Sequence, residues 1–126
     1  MVKTYFEFSA TFNQAIDYKS NSFHVSSTRA NRNLLELFAK HRYIFSYRNS
    51  EVVPNKFLVF PNFMAIDFRL SNGTLPSRKS LAGSKILKSS LNAGIKYIVQ
   101  TERGFEFSHF FYMTMRHKCT IIFKLI

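Results

Sequence analysis

The chain has 126 residues, enough for one compact domain or two small lobes. Its 18 Lys+Arg against 7 Asp+Glu give a net charge of +11, while 46% hydrophobic and 20% charged residues supply a packed core and exclude wholesale disorder. The single cysteine, Cys119, excludes an internal disulfide framework and a multi-cysteine zinc site, and only 4 Gly and 3 Pro exclude collagen-like or linker-rich chains.

The elements follow in chain order. Phe12, Ala15 and Ile16 share a helical face and predict a short helix over Ser9 to Tyr18. Lys19 to Ser22 reads as a loop and Phe23 to Val25 as a short strand. Ser26, Ser27 and Thr28 offer capping hydroxyls just before an amphipathic pattern. Ala30, Leu34, Leu37, Phe38 and His41 fall on one face of that pattern, which predicts a helix from Arg29 to His41. The period then changes to two, and Tyr43 to Tyr47 reads as a strand. Arg48 to Lys56 turns, and Phe57 to Phe60 is a second strand. After a turn at Pro61 and Asn62, Phe63 to Leu70 is expected as a third strand, forming a hairpin with the second.

Ser71 to Lys79 has no period and marks the boundary between a lobe of residues 1–73 and a lobe of residues 74–126. Ser80 to Asn92 fits a short or irregular helix. Ile95, Tyr97 and Val99 alternate with other residues and predict a strand that a tight connection from Thr101 to Gly104 ends. Phe105 to Met115 fits another strand or a short helix, and Thr120 to Ile126 is the last strand. These elements mix helices and strands, an α+β pattern.

A charge this high on a chain this small points to a polyanionic partner, because self-repulsion must be offset by neutralisation. Nucleic acid is the first candidate and an anionic membrane surface the second; a merely solvated basic surface is the bland alternative. No apolar run approaches the roughly 20 residues of a membrane span. The first residues lack both a hydrophobic signal core and the Arg-rich, acid-free pattern of a transit peptide, so the chain is expected to act where it is made or after removal of a leader. Abundant Phe, Ile, Lys, Asn, Tyr and Ser with scarce Gly, Pro and Asp suit an A/T-rich genome such as an organelle's.

No pair of acids has an acid/base or metal-ligand spacing, and no catalytic serine, phosphate-loop or zinc-protease motif is present. His109, His117 and Cys119 would need a further ligand to hold a metal and match no zinc spacing. No catalytic residue, metal, cofactor or small-molecule substrate is expected. The basic residues say more. Arg78, Lys79, Lys85, Lys88, Lys96 and Arg103 are interleaved with hydroxyls at Ser77, Ser80, Ser84, Ser89, Ser90 and Thr101, with Glu102 the one acid among them. Cations neutralise phosphates, while hydroxyls fix register against phosphate and sugar.

Three segments carry a resemblance. Gly94-Ile-Lys-Tyr-Ile-Val-Gln-Thr-Glu-Arg-Gly104 is similar to the signature of the ribosomal protein S-eight family: a Gly, a hydrophobic strand, then Ser-Thr-x-x-Gly. Thr74-Leu-Pro-Ser-Arg-Lys79 resembles that family's Ser-x-Pro-Gly/Ser-x-Arg segment. Val25-Ser-Ser-Thr-Arg29, followed by Leu34, Leu35, Leu37, Phe38 and then Tyr43-Ile44, resembles its Pro-Ser-Ser-Lys, apolar helix and Gly-Phe/Tyr-Ile. The order and approximate spacing are kept from about Val25 to the end. The chain departs from the pattern with Gln100 at the first signature Ser, Glu102 inside the loop, and His117-Lys118 near the family's Gly-Gly turn.

The resemblance implies an α+β fold of two lobes, an N-terminal α/β lobe and a mostly β C-terminal lobe with a short helix. It also implies a non-enzymatic constituent of the small ribosomal subunit that binds the central domain of small-subunit rRNA and supports assembly for translation, beside neighbouring small-subunit proteins. With the composition, it implies a mitochondrial ribosome in the matrix, with a plastid ribosome as the alternative. The rRNA-binding residues it implies are Ser26, Ser27, Thr28 and Arg29, then Ser77, Arg78, Lys79, Lys85 and Lys88, then Gln100, Thr101, Arg103 and Gly104, and finally His117 and Lys118. A free regulatory RNA-binding protein is the alternative from another class, and an enzyme with a divergent site the third.

Overall fold

Tyr5, Phe8, Phe12 and Ala15 recur at alternating three- and four-residue spacing and are all buried, which makes one apolar stripe of a long first helix. The structure is a computed structural model that describes residues 2–72, 80–82, 96–101, 104–107 and 118–126. The helix, α1, runs Val2–Tyr18 and so starts well before the expected Ser9. The chain divides into two compact units, Met1–Arg69 and Leu70–Ile126.

In the first unit α1 is followed by β1 (Phe23–Ser26), α2 (Arg29–Lys40), β2 (Ile44–Asn49) and β3 (Lys56–Pro61). The strands form an antiparallel sheet in the order β1-β3-β2. Phe23, Val25, Phe57 and Val59 are buried, and Tyr47 shares their face by register. The helices cover that face. Phe12, fully buried, sits at the centre of an aromatic cluster, with ring centroids 5.4 Å from Phe38, 6.0 Å from Phe68, 6.3 Å from Phe23 and 6.4 Å from Phe8. Such aromatic pairs contribute about 0.5–1.5 kcal/mol each beyond the area they bury.

Both helices end in the same way without glycine. The Tyr43 N–H donates to Phe38 O at 2.9 Å and the Arg42 N–H to Ala39 O at 3.1 Å, with Arg42 at φ 64°. The Ser20 and Lys19 N–H groups donate to Ala15 O and Ile16 O, with Lys19 at φ 51°. These are Schellman closures, in which a left-handed residue satisfies the last carbonyls.

Phe63–Leu70 does not form the expected third strand. β3 already has β1 on one side and β2 on the other, so no edge of it is left to pair. Instead the Asn62 backbone and side-chain amides donate to Tyr43 O and Arg42 O, both at 3.0 Å, and Asn62 O accepts from the Ala65 and Ile66 N–H groups. The chain turns there, leaving Met64 exposed and sending Phe68 into the aromatic cluster. The hairpin of this unit is β2–β3.

The second unit holds β4 (Leu70–Asn72), β5 (Ser80–Ala82), β6 (Lys96–Thr101), β7 (Gly104–Phe107) and β8 (Lys118–Leu125). The order is β4-β8-β6-β7, and β5 pairs with β8 beside β4 on the same strand: β4 meets Phe123–Leu125 and β5 meets Lys118–Thr120. All pairings are antiparallel. Tyr97, Ile98, Val99, Phe105, Phe107, Ile122 and Phe123 are buried. Because Leu70–Asn72 pairs with β8, these residues belong to the second unit, not to a first lobe ending at residue 73. Ser80–Ala82 is strand where a helix was expected; its three residues gain a ladder along β8 that outweighs weak helical propensity. The rest of that expected helix, and the segment after Phe107, lie outside the described residues. The molecule is α+β, with an α/β N-terminal unit and a β C-terminal unit.

Candidate nucleic-acid interface

In the first unit the loop Ser26-Ser27-Thr28 is tied down before α2 begins. Thr28 is the N-cap, at φ −113° and ψ 160°, and its Oγ1 accepts from the Asn31 N–H at 3.1 Å. Asn31 is buried and its Nδ2 donates to Ser26 O at 2.9 Å, while its Oδ1 has no hydrogen-bond partner among the described residues. The Ser27 N–H donates to Asn55 O at 2.9 Å, the Thr28 N–H to Ser26 O at 2.9 Å, and Lys56 Nζ to Ser26 Oγ at 3.3 Å. The opposite anchor is itself built: Asn55 has φ 59°, and Ser50 Oγ accepts from the Val52 and Val53 N–H groups. The loop therefore presents exposed Ser27 and Arg29 from a fixed backbone.

Beside it lies a cavity of about 270 Å³ lined by Ser27, Arg32, Tyr47, Arg48, Asn49 and Phe57. A water occupies roughly 30 Å³ of liquid, so this space accommodates a phosphate group with its remaining solvent. Among the described residues two guanidinium side chains and no carboxylate line it. The Tyr47 hydroxyl donates to the Glu36 carboxylate. Burial, then that hydrogen bond, raises the phenol above its ordinary range, with Arg32 pulling the other way, so Tyr47 stays a neutral donor at physiological pH. Arg48 carries its guanidinium 5.5 Å from the Phe60 ring centroid.

Of the residues named from the sequence, Ser26, Ser27, Thr28 and Arg29 come together here. Sequence reasoning missed Arg32, Tyr47, Arg48 and Asn49. Arg32 and Arg48 were visible as charges, but only the β2–β3 register, with Arg48 opposite Leu58 and Asn49 opposite Phe57, brings Arg48 and Asn49 to the cavity that Ser27 and Arg32 of α2 also line.

In the second unit Thr101 lies opposite Gly104, and Gly104 has φ 114°, the positive value expected for the close of a tight connection. Gln100 is exposed and pairs with Phe105 on one side and Thr120 on the other. β8 starts at Lys118, two residues before Thr120, so one end of the sheet gathers Thr101, Gly104 and Lys118. Of Thr101 and Lys118 only the backbone is described. Ser77, Arg78, Lys79, Lys85, Lys88, Arg103 and His117 lie outside the described residues.

Among the described residues no three His, Cys, Asp or Glu side chains cluster as metal ligands, and no helix is long and apolar enough to cross a membrane. Compared with models of known protein families and with curated protein sequences, the chain matches none.

Proposed function

We propose that this chain is a structural RNA-binding protein of an organellar small ribosomal subunit, similar to the ribosomal protein S-eight family, that binds the central domain of small-subunit rRNA. Its place is the mitochondrial ribosome, with the plastid ribosome as the alternative, among neighbouring small-subunit proteins. It binds and positions; it does not catalyse.

One observation carries this reading: a pinned hydroxyl loop at the start of α2 adjoins an acid-free cavity bearing Arg32 and Arg48, in a chain of net charge +11. Cations and hydroxyls on a rigid backbone suit phosphate and sugar, the groups that fix a protein's position on RNA. The three ordered segments of resemblance supply the specific partner. The test is filter binding of the purified chain to a central-domain rRNA fragment across salt. If about six phosphates are neutralised, affinity falls about a thousandfold between 50 and 200 mM salt. A flat profile overturns the reading.

A further inference from the structure

The outer face of the first sheet departs from the usual pattern. An antiparallel sheet covered by helices on one face normally turns polar residues outward on the other. Here the register places His24, Leu58 and Arg48 in one row, Ser26 and Lys56 in a second, and Phe60 with Ser46 in a third, all on the face opposite the buried Phe23, Val25, Phe57 and Val59. The central strand thus sets Leu58 and Phe60, both half-buried, in the middle of the outer face. The pairing of β2 is irregular between Ile44 and Ser46, and the extra residue there is Phe45, which is 72% exposed. Arg48 lies diagonally across from Phe60 with its guanidinium over the ring.

The charges on this face have one sign. Arg48 and Lys56 flank the apolar centre; none of its strand positions is Asp or Glu, and the acid Glu7 of α1 lines a cavity with His24, Ser26 and Lys56 at the β1 edge. Flat π surfaces with interleaved cations are what a single-stranded nucleic acid requires: bases stack on aromatic rings and on guanidinium planes, while the backbone is neutralised alongside. A paired duplex offers no free base face and gains nothing from such a platform.

We infer that the outer face of the β1-β3-β2 sheet around Phe60 and Arg48, with the exposed Phe45 at the adjoining bulge, binds unpaired RNA nucleotides by base stacking. This rests on RNA being the partner and adds a different chemistry: the cavity beside Ser27 takes backbone, this face takes bases, and Arg48 stands where the two adjoin.

The test uses the purified full chain and fluorescence anisotropy with two probes, a labelled ten-nucleotide unstructured RNA and a perfectly paired RNA duplex with a similar number of phosphates. Phe45→Ser and Phe60→Leu each weaken binding of the single strand about tenfold, persisting at high salt because stacking releases no counterions. Duplex affinity stays within about twofold, Phe45→Tyr binds the single strand like wild type, and thermal melts of the variants keep one transition near the wild-type temperature. Unchanged single-strand affinity in both Phe variants overturns the inference and leaves the face to a protein partner. Equal loss on both probes overturns it as well, since that is general damage. A wild-type chain that binds the duplex but not the single strand overturns this inference alone; one that binds neither RNA overturns it together with the proposed function.

Discussion

Thr101 lies directly opposite Gly104 in the last rung of the β6–β7 pairing, and Gly104 holds φ at 114°. No atom of the described residues lies within 4 Å of where a Cβ on Gly104 would sit, so the constraint there is the backbone and not crowding. Gly104→Ala is therefore expected to cost about 1–3 kcal/mol of stability through strain alone, read by chemical denaturation. Thr101→Val keeps the strand and removes the hydroxyl. It is expected to lose about 1–3 kcal/mol of rRNA binding with an unchanged salt slope, whereas Arg103→Ala is expected to lower that slope by about one. Wild-type affinity in Thr101→Val would remove the loop from the interface.

Arg29 and Arg32 are both exposed, one on the first turn of α2 and one on the cavity wall. Arg29→Glu and Arg32→Glu are each expected to weaken rRNA binding and flatten its salt dependence. Surface changes of this kind alter stability by about 0.5 kcal/mol or less, so the melting temperature stays within a few degrees of wild type. Thr28→Ala behaves differently: it removes the cap and costs about 1 kcal/mol of stability. A large stability loss in Arg29→Glu with unchanged affinity would assign the whole loop to capping.

Arg42 occupies the left-handed position of the α2 closure, where glycine is usual. A side chain there costs roughly 1–2 kcal/mol, partly balanced by the extra unfolded-chain freedom of glycine. Arg42→Gly is accordingly expected to stabilise the protein by about 0.5–1 kcal/mol, measured as a higher denaturation midpoint. A lower midpoint would mean that the exposed guanidinium contributes more than the backbone loses.

The α2 region was legible because its signals agree: a capping hydroxyl at Thr28, then Leu34, Leu37 and Phe38 on one face. α1 was underread at its start, although Tyr5 and Phe8 extend the stripe of Phe12 and Ala15, because no capping residue announces the first turn. Ile66, Phe68 and Leu70 alternate like a strand, yet their fates diverge. Phe68 joins the rings of Phe12 and Tyr43, while Leu70 pairs with Leu125 in the other unit. Alternation reports burial of every second residue, not the presence of a sheet edge to receive it. The hydroxyl loop was likewise readable as a local motif. The Arg48–Phe60 pair and the cavity were not, because they arise from cross-strand register between residues twelve apart.

Residence in a small ribosomal subunit through direct rRNA contact is the proposed role, and sedimenting an organelle lysate through a high-salt sucrose gradient, with the chain detected across the fractions, tests it. The chain is expected to travel with the small subunit and to stay with it after loosely bound proteins are stripped. A chain found free at the top of the gradient, with small subunits intact below it, would overturn that role and favour a soluble regulatory RNA-binding protein.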